Sequence, residues 1–154
     1  MATFNCEVNL NAGFIVSNTG VRLGAESDDV NAIWQFTGDN PTNRMVSTDQ
    51  SLVVDVEWTV EGPMASLMGN CKYICRLFLE QMGPGEAAPG FYQTQVNHIP
   101  VNGPTNYTAQ ISIPQGLSEG VYRVVFSFNM LDPNNNPFPV AGFEDLGFLQ
   151  VFGN

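Results

Sequence analysis

The chain has 154 residues, 44% hydrophobic and only 13% charged, with fifteen acids against five bases and a formal net charge of −10. That length buries a sizeable core, and 11 Phe, 4 Tyr and 2 Trp exclude the aromatic-poor, charge-rich composition of a disordered chain. The acidic excess excludes a nucleic-acid grip or an anionic-membrane surface, both of which need clustered Lys and Arg, so the partner expected is a protein, either self or other.

Taken in order, the opening Met-Ala-Thr-Phe-Asn-Cys has no basic region followed by an apolar core, as a secretory signal would. No stretch reaches the ~20 apolar residues that span a bilayer. A cytoplasmic location without membrane contact is therefore expected, with secretion left open. Short strands are expected at Phe4–Asn9, Gly13–Ser17 and Asn31–Phe36. Ser51–Val60 alternates strictly: Leu52, Val54, Val56, Trp58 and Val60 share one face, and Ser51, Asp55, Glu57 and Thr59 share the other with Val53. Met64–Met82 lacks proline and reads as a helix or as a strand. Gly69 interrupts it, and Lys72, Ile74, Arg76, Phe78 and Glu80 alternate with Cys71, Tyr73, Cys75, Leu77 and Leu79. The aromatic and β-branched content favours a strand over Cys71–Gln81, approached by a loop at Met64–Asn70. Further strands are expected at Phe91–Val96, Asn106–Ile113, Gly120–Met130 and Gly147–Phe152, the last apolar on both faces. With 15 Gly and 10 Pro scattered between them, these segments predict one all-β domain over residues 1–154. The architecture expected is an antiparallel β-sandwich of about seven to nine strands.

Leu117, the Gly-containing corner Ser118-Glu119-Gly120 and Tyr122, which opens an alternating strand, resemble the tyrosine corner of immunoglobulin-like and fibronectin-like domains. Trp58 is similar to that superfamily's core aromatic, although it falls one strand early. The resemblance runs roughly from Leu52 to Phe152. It implies an immunoglobulin-like Greek-key sandwich in which the Tyr122 hydroxyl ties back to the preceding loop. It implies no activity.

Three cysteines, Cys6, Cys71 and Cys75, are too few for a disulfide framework. On one strand Cys71 and Cys75 stand about 13 Å apart, beyond bridging distance, while a bridge from Cys6 to either stays open at this point. His98 is the single histidine, so any Ser-His-acid or Cys-His hydrolase must use it; a loop histidine before Ile-Pro is ordinarily a surface residue. No cofactor is required by any motif, and calcium is the one that the acidic loops suit. Asp132-Pro133-Asn134-Asn135-Asn136 opens like a calcium loop, then breaks at Pro137 and Phe143. Asp132 with Glu144 or Asp145, or Glu26 with Asp28 and Asp29, are the remaining ligand sets. Asp55 and Glu57 stand about 6.8 Å apart on a strand face, a spacing that carboxylate pairs use in acid–base work but that any solvated strand face also shows.

For a carbohydrate platform the candidate rings are Trp34, Phe91 and Tyr92. Apolar residues in excess of one buried face, Tyr73 and Phe78 in one strand and Phe148 and Phe152 in the last, are the candidates for an interface. Together these features predict a non-catalytic β-sandwich acting by protein–protein association, as a homo-oligomer or an accessory module. A carbohydrate-binding module, with or without calcium, is the alternative, and a small hydrolase built on His98 is the third reading.

Overall fold

A computed structural model describes residues 3–8, 13–26, 33–35, 45–83 and 90–153. They form an all-β sandwich of ten strand segments: β1 (Asn5–Val8), β2 (Ile15–Glu26), β3 (Ile33–Gln35), β4 (Met45–Ser47), β5 (Leu52–Glu61), β6 (Lys72–Gln81), β7 (Gly90–Asn97), β8 (Thr105–Ile113), β9 (Gly120–Leu131) and β10 (Pro137–Phe152). One sheet has the order β3-β2-β5-β8. The other has β1-β10-β9-β6-β7, with β4 added in parallel to the end of β10. All other pairings are antiparallel.

Seven strands are long, and three, of three or four residues, only cap edges. The ambiguous Met64–Met82 region resolves as the alternation predicts. Pro63–Leu67 makes one 3-10 turn, and β6 follows as a central strand between β7 and β9. Two strands run further than expected. β2 continues through Asn18-Thr19-Gly20, which reads as a turn but forms a bulge, Asn18 taking a positive φ of 50°. β10 begins at Pro137 rather than Gly147, because a register shift after Pro137 accommodates the prolines that otherwise end strands.

The inward faces meet in one core. Trp58 of β5 stacks on Tyr107 of β8 at 5.5 Å between ring centroids, and Tyr73 of β6 and Phe128 of β9 meet its edge at 5.3 and 5.1 Å. Phe4 closes this aromatic layer against Phe126 and Phe128. The Tyr122 hydroxyl donates to the Ser118 carbonyl at 2.7 Å, and Leu117 packs on the core beside it. That is the corner tie the resemblance implies. Cys6, Cys71 and Cys75 are free thiols, so the bridge left open by the sequence is not formed.

Candidate functional site

The expected interface residues divide. Tyr73 faces the core and is fully buried, because β6 turns Tyr73, Cys75, Leu77 and Leu79 inward. That corrects its assignment to an interface. Phe78, on the opposite phase, and Phe148 and Phe152 point away from the core. The outer face of the six-stranded sheet therefore gathers what the sequence had spread over several elements.

Register lays that face out in rows. Phe91, Phe78, Val125 and Asp145 lie side by side across β7, β6, β9 and β10. The row above holds Gln93, Arg76, Ser127 and Phe143, and the row below holds Glu80, Arg123 and Phe148. Phe91 is 55% exposed, Phe143 59% and Phe148 41%. Val121, Phe152 and Met45 complete the rim at the lower end, with Met82 directly after β6; six of the eleven large apolar side chains exposed among the described residues belong to strands of this one sheet. Phe91 packs on Phe78 at 5.9 Å, and the Arg76 guanidinium, which donates to Gln93, lies 5.7 Å from the Phe91 ring centre. That cation–π contact adds a modest attraction, about 0.5–1 kcal/mol at an exposed site, to the packing of Phe91 on Phe78.

A second feature lies about 12 Å from Phe78 across the sheet, two strands over and one row down. Register slips between Asp145 and Gly147, and Gly147 takes a φ of 86°, so β10 bulges there. The Asp145 carboxylate accepts from Arg123 at 2.6 Å and from the Gly147 amide at 2.9 Å. Those two hydrogen bonds, the Arg123 bond foremost, hold its carboxyl below the usual carboxylate range. Arg123, Asp145, Leu146, Gly147 and Phe148 surround an open depression of about 540 Å³. Sequence reading singled out Asp145 and Phe148 but missed Arg76, Arg123, Phe143 and the bulge. The one local signal was a glycine interrupting an apolar strand.

The other candidate sets fare differently. Trp34 lies on β3, opposite Ala25 of β2, in the other sheet from Phe91 and Tyr92 of β7, so the three proposed sugar-binding positions fall on strands of different sheets. Tyr92 turns inward against the core, leaving Phe91 alone on the outer face. Asp132 spends one carboxylate oxygen on the Asn134 and Asn136 amides of its own hairpin. It stands seven residue steps along the chain from Val125, the partner of Asp145, a span of about 23 Å. Asp132 and the Glu144–Asp145 pair therefore do not converge on one ion, and no group of three or more His, Cys, Asp or Glu that could hold a metal occurs among the described residues. Asp28 and Asp29 lie outside the described residues. Asp55 accepts from Gln110 on the outer face of the four-stranded sheet.

His98 corrects the surface expectation. It is buried beneath the 3-10 turn. Its Nε2 lies 2.7 Å from the Ala65 carbonyl, which can only accept, so Nε2 carries the proton. Nδ1 then accepts from the Tyr73 hydroxyl at 2.7 Å, while the Tyr107 hydroxyl, 3.3 Å away, accepts the Ile99 amide. Both ring nitrogens are engaged inside the protein, which leaves neither for a substrate. Among the described residues no helix is long and apolar enough to cross a membrane.

No family model and no curated protein matches this chain. Among solved structures it is similar to the crystal structure of the C-terminal domain of Wzt, with a TM-score of 0.57 over 98% of this chain and 79% of that one. Identity is 14%, so the likeness concerns the fold alone, a β-sandwich.

Proposed function

We propose that the chain is a non-catalytic sandwich of immunoglobulin-like topology that works by protein–protein association through the outer face of its six-stranded sheet. The order β2-β5-β8 against β10-β9-β6-β7 corresponds to strands A-B-E against G-F-C-C′, with Tyr122 opening the penultimate strand, which supports the topology. The observation that carries the function is the composition of the outer face. Exposed Phe, Met and Arg are what protein interfaces concentrate, and here Phe91, Phe143, Phe148 and Phe152 share one sheet with Arg76 and Arg123. A monomer gains nothing by exposing them.

The test is a Phe91→Ser/Phe148→Ser double variant. Both side chains are exposed, so the fold should survive, as circular dichroism would verify. Proteins that co-purify with the unaltered chain from its native source should be lost with the variant. Recovery unchanged by the substitutions would overturn the assignment of this face.

One observation favours a second reading, carbohydrate binding. The Arg123–Asp145 pair beside the Phe148 ring in an open depression offers donors, acceptors and an apolar platform together. A glycan panel probed with and without calcium decides it: binding lost on Phe148→Ser supports this reading, and no retention on the panel removes it.

A further inference from the structure

The two flanks of the sandwich differ in how their edges are guarded. On one flank the edge segments β1, β3 and β4 are only three or four residues long, and β2 and β10 carry bulges. Short and bulged edges resist pairing with other chains. The opposite flank consists of β7 and β8, which touch each other across the two sheets. β8, Thr-Asn-Tyr-Thr-Ala-Gln-Ile-Ser-Ile, holds nine residues without a charge, a proline or a glycine. It pairs with β5 over all nine without a register shift, and nothing among the described residues pairs with its other edge. β7 is uncharged as well. In a chain of net charge −10, this is where a second copy meets no like charge on the pairing strand.

β8 is also complementary to itself. An antiparallel pairing of two β8 strands centred on Ala109 sets Thr108 against Gln110 and Asn106 against Ser112 on the outer, exposed face. The same register sets Tyr107 against Ile111 and Thr105 against Ile113 on the inner face. A two-fold axis through Ala109, perpendicular to the sheet, keeps every inward residue inward in both copies. We infer that two copies of this chain join through their β8 edges, in the register centred on Ala109, into one continuous eight-stranded sheet. This contact uses a different surface from the outer face of the six-stranded sheet, so the two can be tested apart.

The experiment pairs solution mass with register-specific cross-linking. Light scattering on the unaltered chain should give twice the mass of one copy. Thr108→Cys and Gln110→Cys variants, each changed at an exposed position, are then co-refolded and mildly oxidised. Residue 108 faces 110 of the other copy, so the mixture should form a covalent dimer. Thr108→Cys alone should not, because its two copies of residue 108 stand about 9 Å apart, beyond disulfide reach. Amide hydrogen exchange on the unaltered chain gives an independent reading: protection in β8 should rise with concentration while that of β1 stays constant. A mass of one copy up to millimolar concentration overturns the inference. So does a dimer whose β8 amides show no concentration dependence, or one that cross-links equally with and without the mixed partner.

Discussion

His98 shows how one residue can read as chemistry and act as a strut. It ties the 3-10 turn at Ala65 to β6 at Tyr73, across two connections of the chain, inside an apolar aromatic layer. Removing the ring takes the donor from the buried Ala65 carbonyl and leaves the buried Tyr73 hydroxyl with Tyr107 alone. His98→Ala should therefore lower stability by about 3 kcal/mol in urea unfolding, and His98→Gln should cost less because it can still donate to Ala65. The thiols make a second residue-scale prediction. Burial pushes Cys75 up to about 12, and burial with Glu7 nearby pushes Cys6 up to about 11. Burial and Asp132 raise Cys71 as well. In the unfolded chain these thiols ionise near pH 8.5. Above that pH the unfolded state has lost protons the folded state keeps, so stability is full at neutral pH and falls as pH rises from about 9 towards 12. Tyr73, raised first by burial, adds in the same direction. Urea midpoints at pH 7 and about 10.5 measure this, and at pH 8 a thiol reagent should label the native chain slowly but three groups per chain after unfolding.

At the scale of elements, the bulge in β10 is the feature most open to test. Gly147 sits at φ 86°, where a side chain is strained, and its amide holds Asp145 against Arg123. Gly147→Ala should cost about 1–2 kcal/mol and release Asp145, whose carboxyl should then titrate closer to the ordinary range by NMR. Strands whose alternation was uninterrupted were legible from sequence: β5, β8 and β9 fall within one residue of expectation, since period-2 burial decides them. β2 and β10 were read short because Asn-Thr-Gly and Pro-Phe-Pro have the chemistry of turns, and only pairing with β5 and β9 overrides it. β4 was missed altogether, as three residues carry no period. The candidate site was legible only in parts for the same reason. Phe78, Phe91, Asp145 and Phe148 were visible singly, but their rows exist only through a register that joins residues 91, 78, 125 and 145. Arg76 and Arg123 read as ordinary solvated positions until their neighbours across the sheet were known.

At the scale of the molecule, charge separates two modes of self-assembly. Three of the five bases, Lys72, Arg76 and Arg123, stand on the outer face of the six-stranded sheet, where Glu7, Glu80 and Asp145 balance them. The net −10 therefore lies elsewhere, part of it as Asp55, Glu57 and Glu61 along β5. Stacking one copy's acidic face on another's balanced face would draw only on individual pairs between its acids and Lys72, Arg76 or Arg123, and added salt would weaken those pairs. Pairing through the uncharged β8 edge gains nothing from charge and is opposed by repulsion between two copies of −10. Salt screens that repulsion, the Debye length falling from about 30 Å at 0.01 M to about 10 Å at 0.1 M. Lowering the pH towards the sequence pI of about 4.1 removes it at the source. The dimer fraction in sedimentation velocity should therefore rise with salt at pH 7 and rise again from pH 7 to about pH 5, before general association sets in near the pI. A dimer that dissociates as salt increases would assign the contact to the charged faces and remove it from β8.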